Sequence, residues 1–162
     1  MTAKNARQTN PFRILITDDD REVRETLAEL VGLRGFESLL AASGEEAFEI
    51  IQAEPVHLIL LDMHMPRLTG LETLELVRQI NRLLPAILIT ADATMDVMKR
   101  AMNAQVFSVI PKPVNGSIVV ATMIRALFRS YGDPLKGSPD PTKDTPANPD
   151  IPTALNPESE SP

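Results

Sequence analysis

Residues 56–70 read VHLILLDMHMPRLTG. The first six, VHLILL, are apolar at almost every position rather than at every second one, which is the pattern of a strand covered on both faces. The run ends abruptly at Asp62, and Met-Pro and Gly70 follow within eight residues. A buried strand delivering a carboxylate into a turn is the unit from which the rest of the chain can be read.

Working outward, the same unit recurs. Upstream, RILIT (13–17) is a short β-rich run, and residues 36–41 are a second strand. Downstream lie AILIT (86–90) and residues 106–110. Helical spacing separates them. Val23, Leu27, Leu30 and Val31 mark a helix over 20–33, which Gly32 and Gly35 stop. Ser43 with Glu46 three residues on resembles a capping box, opening a helix that buries Ala47, Ile50 and Ile51 before Pro55. Leu71, Leu74, Val77 and Ile80 give one over 70–82, and Met95, Met98 and Met102 one over 94–104, with the methionines read as core packing. Ile118, Met123, Ile124, Leu127 and Phe128 give the last, over 115–131. Five strands alternating with five helices predict an α/β fold with a five-stranded parallel, doubly wound sheet; the flavodoxin-like order 2-1-3-4-5 is the natural candidate.

The rest of the chain bounds this reading. Of its 162 residues and 14 prolines, eight prolines fall in 133–162, with two lysines, six acidic residues and five apolar ones. The net charge is −6, and this segment carries −4 of it. It cannot bury enough surface to offset the entropy of ordering. The expected organisation is a flexible N-terminus (1–11), one domain (12–131) and a disordered, Pro-rich acidic tail (132–162). With no cysteine, thiolate metal sites and cysteine nucleophiles are excluded. No apolar run approaches the ~20 residues of a membrane span, and no signal-peptide pattern opens the chain. A body close to charge balance argues against non-specific nucleic-acid binding. The expected location is cytoplasmic.

In such a sheet, ligands bind beyond the carboxyl ends of the strands. Asp18-Asp19-Asp20 follows the first strand, Asp62 the third, Thr90-Ala91-Asp92 closes the fourth, and Pro111-Lys112-Pro113 follows the fifth. Carboxylates gathered on one edge repel unless a cation neutralises them, and oxygen ligands suit Mg2+. A carboxylate, a divalent cation, a lysine and a hydroxyl are the parts that phosphoryl transfer needs. Asp20 is better read as a helix cap. His57 and His64, with no cysteine near them, do not make a histidine metal site.

ILITDDD (14–20), LILLDMHMPRLTG (58–70), ILITA (87–91) and PKP (111–113), in this order and on these strand ends, resemble the receiver domains of two-component response regulators, over roughly 12–131. The resemblance implies that Asp62 accepts a phosphoryl group from a sensor histidine kinase or a histidine phosphotransfer protein. It implies Mg2+ held by Asp19 and Asp62 directly, by Asp18 mainly through water, and by the backbone carbonyl of His64. Thr90 and the Ala91 N–H would meet the phosphoryl group, Lys112 would pair with it, and the Lys112–Pro113 bond would be cis. Met65-Pro66 and Gly70 would shape the loop above the acceptor. The domain is expected to be catalytic only towards itself. With no output domain after Tyr131, a stand-alone regulator is expected, signalling to a downstream protein or to a second copy through the face of the fourth helix, fifth strand and fifth helix. Four positions depart from the pattern: Val109 where an aromatic switch residue stands, Gln105 for a glycine, Pro111 for an apolar residue and Val114 for phenylalanine. Two other readings remain. Asp18 and Asp20 have the two-residue spacing of haloacid-dehalogenase-like phosphatases, and Val109 keeps open a binding module that is not phosphorylated.

Overall fold

The computed structural model describes residues 11–136. The elements run β1 (Arg13–Thr17), α1 (Arg21–Gly32), β2 (Glu37–Ala41), α2 (Gly44–Ala53), β3 (Leu58–Asp62), α3 (Gly70–Ile80), β4 (Ala86–Thr90), α4 (Met95–Asn103), β5 (Ser108–Pro111) and α5 (Gly116–Tyr131). All strand pairs are parallel, in the order β2-β1-β3-β4-β5. This is the flavodoxin-like (βα)5 fold expected from the strand pattern.

The side-chain alternation of the strands builds two cores. Leu15, Ile59, Leu61 and Leu88 point to one face, where α2, α3 and α4 contribute Ala47, Leu74, Val77, Val97 and Ala101. Ile14, Ile16, Leu58, Leu60, Ile87 and Ile89 point to the other, against Leu27, Val31, Val119, Met123 and Leu127 of α1 and α5. Every residue of β3 and β4 is buried, so the continuous apolar runs reflect two covered faces.

β3 begins two residues later than the apolar run and includes Asp62 itself. Before it, His57 is buried and bonds to both backbone polar groups of Arg13: its own backbone N–H donates to the Arg13 carbonyl at 2.9 Å, and its Nδ1 accepts from the Arg13 N–H at 2.8 Å. A ring nitrogen thus takes a backbone acceptor's place at the foot of the sheet. Each helix has a side-chain cap: Asp20, Ser43, Thr69, Thr94 and Asn115. At Ser43 the expected box is altered, because Glu46 accepts from the Ala42 N–H. A full capping box forms instead at Thr69 and Glu72.

The methionine stripe of α4 is a correction. Met95 and Met102 are 75% and 74% exposed and Met98 is 38% exposed, while Val97 and Ala101 face the core. Both sets have helical spacing, so periodicity marks two faces without saying which packs. Ile80, Ile118 and Phe128 are likewise exposed, and α5 buries Val119, Val120 and Ala126 alongside Met123 and Leu127.

Residues 1–10 and 137–162 lie outside the described residues, and with them most of the expected flexible N-terminus and Pro-rich tail. Residues 132–136 form a turn in which Pro134 is buried and the Asp133 carboxylate accepts the Leu135 N–H at 3.0 Å. Among the described residues, no helix is long and apolar enough to cross a membrane.

Candidate functional site

The strand order reverses between β1 and β3, since β2 lies on one side of β1 and β3 on the other. That switch point leaves a crevice at the carboxyl edge, and the two acids that follow or end these strands lie there. Asp18 and Asp62 are buried; Asp19 is exposed. Among the described residues, Asp18, Asp19 and Asp62 each offer a carboxylate oxygen within 4.8 Å of the others.

Lys112, just beyond β5, reaches across the edge. Its Nζ lies 3.1 Å from Asp18 Oδ2 and 3.3 Å from Asp62 Oδ1. The remaining bonds hold the acids in place. Asp18 Oδ1 accepts the Asp20 N–H at 2.9 Å, and Asp62 Oδ1 accepts the His64 N–H at 3.3 Å. His64 therefore meets the acceptor through its backbone. Asp20 caps α1 with its own carboxylate, which accepts the Glu22 N–H.

Thr90 is fully buried at the end of β4. Its hydroxyl exchanges bonds with Asp92, accepting the N–H at 3.1 Å and donating to the carbonyl at 3.3 Å. Ala91 follows it, exposed. The Lys112 N–H donates to the Thr90 carbonyl at 2.8 Å, which ties the lysine's backbone to β4, and the Lys112–Pro113 bond is cis. Val109, on β5, is half-buried and packs against the α2–α4 core. Gly70 closes the loop after β3: its N–H donates to the Met63 carbonyl at 2.9 Å, and a Cβ there would stand 2.4 Å from the Asp62 carbonyl oxygen.

Electrostatics follow from this packing. Burial pushes the Asp62 carboxyl up to about 6, and the neighbouring Asp18 charge adds to the shift; Lys112 and the His64 N–H pull the other way. Burial works against the Lys112 charge, but Asp18 and Asp62 outweigh it, and its pKa is raised. One contact was not read from the sequence: Arg24 of α1 donates from Nη1 to the Asp18 carbonyl at 2.7 Å. The available signal was a basic residue near the start of a helix, where the dipole disfavours it.

The model of the response regulator receiver domain matches residues 14–124. The chain belongs to that family. The response regulator MprA of Mycobacterium sp. (strain KMS) is 36% identical over 137 residues, covering 85% of this chain and 56% of that protein. The transcriptional regulatory protein CpxR of Escherichia coli (strain K12) is 35% identical over 119 residues, covering 74% and 50%. The chain thus spans about half the length of these curated relatives. The crystal structure of a CheY-like receiver domain protein from Methanospirillum hungatei JF-1 superposes with a TM-score of 0.71 at 28% identity, covering 74% of this chain and 95% of that one. The protein is a receiver domain of a two-component response regulator.

Receiver domains bind Mg2+ at an acidic pocket, and the pocket here fits the ion. It presents hard oxygen donors from three carboxylates, which Lys112 alone does not neutralise.

Proposed function

We propose that Asp62 accepts a phosphoryl group from a phosphohistidine on a sensor histidine kinase or a histidine phosphotransfer protein, in a Mg2+-dependent reaction. The observation that carries this reading is Lys112 bridging Asp18 and Asp62 at the switch point. A carboxylate oxygen of Asp62 attacks phosphorus, the phosphorus–nitrogen bond breaks, and the imidazole leaves with the bonding pair. Lys112, already on the acceptor carboxylate, is poised to follow the charge onto a phosphoryl oxygen. Mg2+, when bound, neutralises charge on the phosphoryl oxygens. Asp19 and Asp62 are the proposed direct ligands, with the His64 carbonyl. Both carboxylate oxygens of Asp18 are already engaged, by Asp20 and Lys112, which suits a role through water.

The Thr90 hydroxyl is proposed to exchange its Asp92 partner for a phosphoryl oxygen, with the Ala91 N–H as a second donor. Because the phosphoryl group bonds one arrangement better than the other, signalling is a population shift. The α4–β5–α5 face, with its exposed methionines and Val109 in place of an aromatic ring, is the proposed output surface towards a downstream protein or a second copy. The donor protein must cover the rim above Asp62. A groove of about 460 Å3, with Val23, Leu27, Leu30 and Val114 in its lining, opens beside Lys112 and is the proposed apolar seat for it. The proposed compartment is the cytoplasm, where the nucleotide that charges a histidine kinase is made.

The test is intact-mass measurement after incubation with acetyl phosphate and Mg2+. The expected result is a gain of about 80 Da, one phosphoryl group, which is lost in Asp62→Ala and on omitting Mg2+. An unmodified wild-type mass, or equal labelling of the variant, would overturn the reading.

A further inference from the structure

We infer that Arg24 is a positioning residue for the acidic pocket, setting the peptide that joins Asp18 to Asp19. Its Nη1 donates to the Asp18 carbonyl at 2.7 Å, a short charge-assisted bond from a half-buried side chain. The Asp18 carbonyl belongs to the planar unit whose other end is the Asp19 N–H. Rotating that plane would swing Asp19 away from Asp18 and Asp62, because Asp18 is held independently. Its N–H bonds to the Ala41 carbonyl at 3.2 Å, Oδ1 accepts from Asp20 and Oδ2 pairs with Lys112. Asp19 is exposed, so the chain leading to it, more than side-chain packing, must direct it towards the pocket.

The helix itself gives a second reason. Arg24 is the fourth residue of α1, and a cation near the positive end of a helix is unfavourable for that helix. Glu22 in the same turn conforms to the dipole, and Arg21, which also opposes it, is exposed and paired with Glu25 inside the helix, whereas Arg24 is half-buried. A residue that opposes its own helix is explained when a contact outside the helix compensates, and the bond to Asp18 is that contact.

The inference rests on the pocket being a Mg2+ site, and its sign separates it from a pure charge effect. A guanidinium beside the pocket repels a divalent cation, so deleting its charge alone would tighten Mg2+ binding. Positioning predicts the opposite: losing the bond weakens binding although a repelling charge is gone.

The experiment is calorimetric titration of MgCl2 into the unphosphorylated wild type, Asp19→Asn, Arg24→Met and Arg24→Lys, with thermal melting of each in EDTA. Arg24→Met keeps an unbranched apolar stem without the donor. The expected result is a Kd for Mg2+ raised about fivefold or more in Arg24→Met and within about twofold of wild type in Arg24→Lys, which keeps a donor. Unchanged or tighter binding in Arg24→Met overturns the proposal, whether or not its melting temperature falls; a lowered melting temperature with wild-type affinity identifies a structural staple only. Failure of Arg24→Lys to recover affinity also overturns it. Absence of Mg2+ binding by the wild type, or binding unaffected by Asp19→Asn, would instead overturn the reading of the pocket.

Discussion

The Lys112 ammonium stands 3.3 Å from Asp62 Oδ1. This contact spans from the end of β5 to the end of β3, with β4 between them in the sheet. It leaves a buried acid and a partly buried base in mutual dependence, and most of the site's measurable behaviour follows from it.

The first consequence is a pH dependence of folding. Burial and the Asp18 charge raise Asp62 from an ordinary 3.8 to about 6. An acid with a folded pKa above its unfolded value holds its proton more tightly when folded. Its contribution therefore favours folding below about pH 4 and is lost as pH rises through about 6, a change of about 2–3 kcal/mol. Asp62→Asn should remove this slope. Urea unfolding of both proteins in EDTA at pH 4, 5, 6 and 7 checks it, with the variant gaining stability relative to wild type towards pH 7. Parallel pH profiles would contradict the electrostatic account.

Removing the lysine should do the reverse. Lys112→Met leaves Asp18 and Asp62 facing each other in the crevice without their cation, at a cost of about 2 kcal/mol at pH 7 in EDTA. Mg2+ would then offset more in the variant than in the wild type, since it stabilises the folded state in proportion to its occupancy. Melting temperatures with and without saturating Mg2+ measure that difference.

Gly70 tests the loop above the acceptor. A Cβ there would lie 2.4 Å from the Asp62 carbonyl oxygen and 3.0 Å from Met63 Cα, both backbone atoms that cannot rotate aside. Gly70→Ala should cost about 2–4 kcal/mol and slow phosphorylation, because relief requires moving the residue that reacts. Gly32 is the contrast. Nothing lies within 4 Å of its Cβ position at the end of α1, so Gly32→Ala should raise stability by at most about 1 kcal/mol and leave phosphorylation unchanged. Urea unfolding and rates of acetyl-phosphate labelling distinguish the two.

On α4, the exposed methionines should tolerate polarity. Met95→Gln and Met102→Gln should change stability by less than about 0.5 kcal/mol, while Val97→Ala, on the buried face, should cost about 1–2 kcal/mol. If the methionine changes proved as costly as Val97→Ala, the orientation of α4 would be wrong.

How far the chain could be read in advance differs from element to element. β1 and β4 begin and end where RILIT and AILIT do, because a strand buried on both faces leaves an unbroken apolar signature. β3 runs one residue beyond the end of its apolar run at the functional end. Asp62 lies within the strand, since a carboxylate can occupy the last ladder position when lysine and backbone donors meet it there. The methionine stripe of α4 predicts the wrong buried side, because spacing of three and four residues defines a helix face but not its neighbour. The partner of Arg24 is a carbonyl, so its only trace in the sequence is a basic residue near a helix start.

From its sequence alone, this protein's strand and helix order, its parallel sheet and the set of polar residues at the strand ends were determined, because these depend on local alternation and on where apolar runs stop. The pairing of those residues was decided only by the tertiary structure. Lys112 and Asp18 are 94 positions apart, and their contact exists only once β1 and β5 deliver their ends to the same edge. The raised pKa of Asp62, the bond from Arg24 to the Asp18 carbonyl and the exposed face of α4 are likewise properties of what packs against what. Burial and Coulomb interaction act through space, and distance along the chain does not encode them.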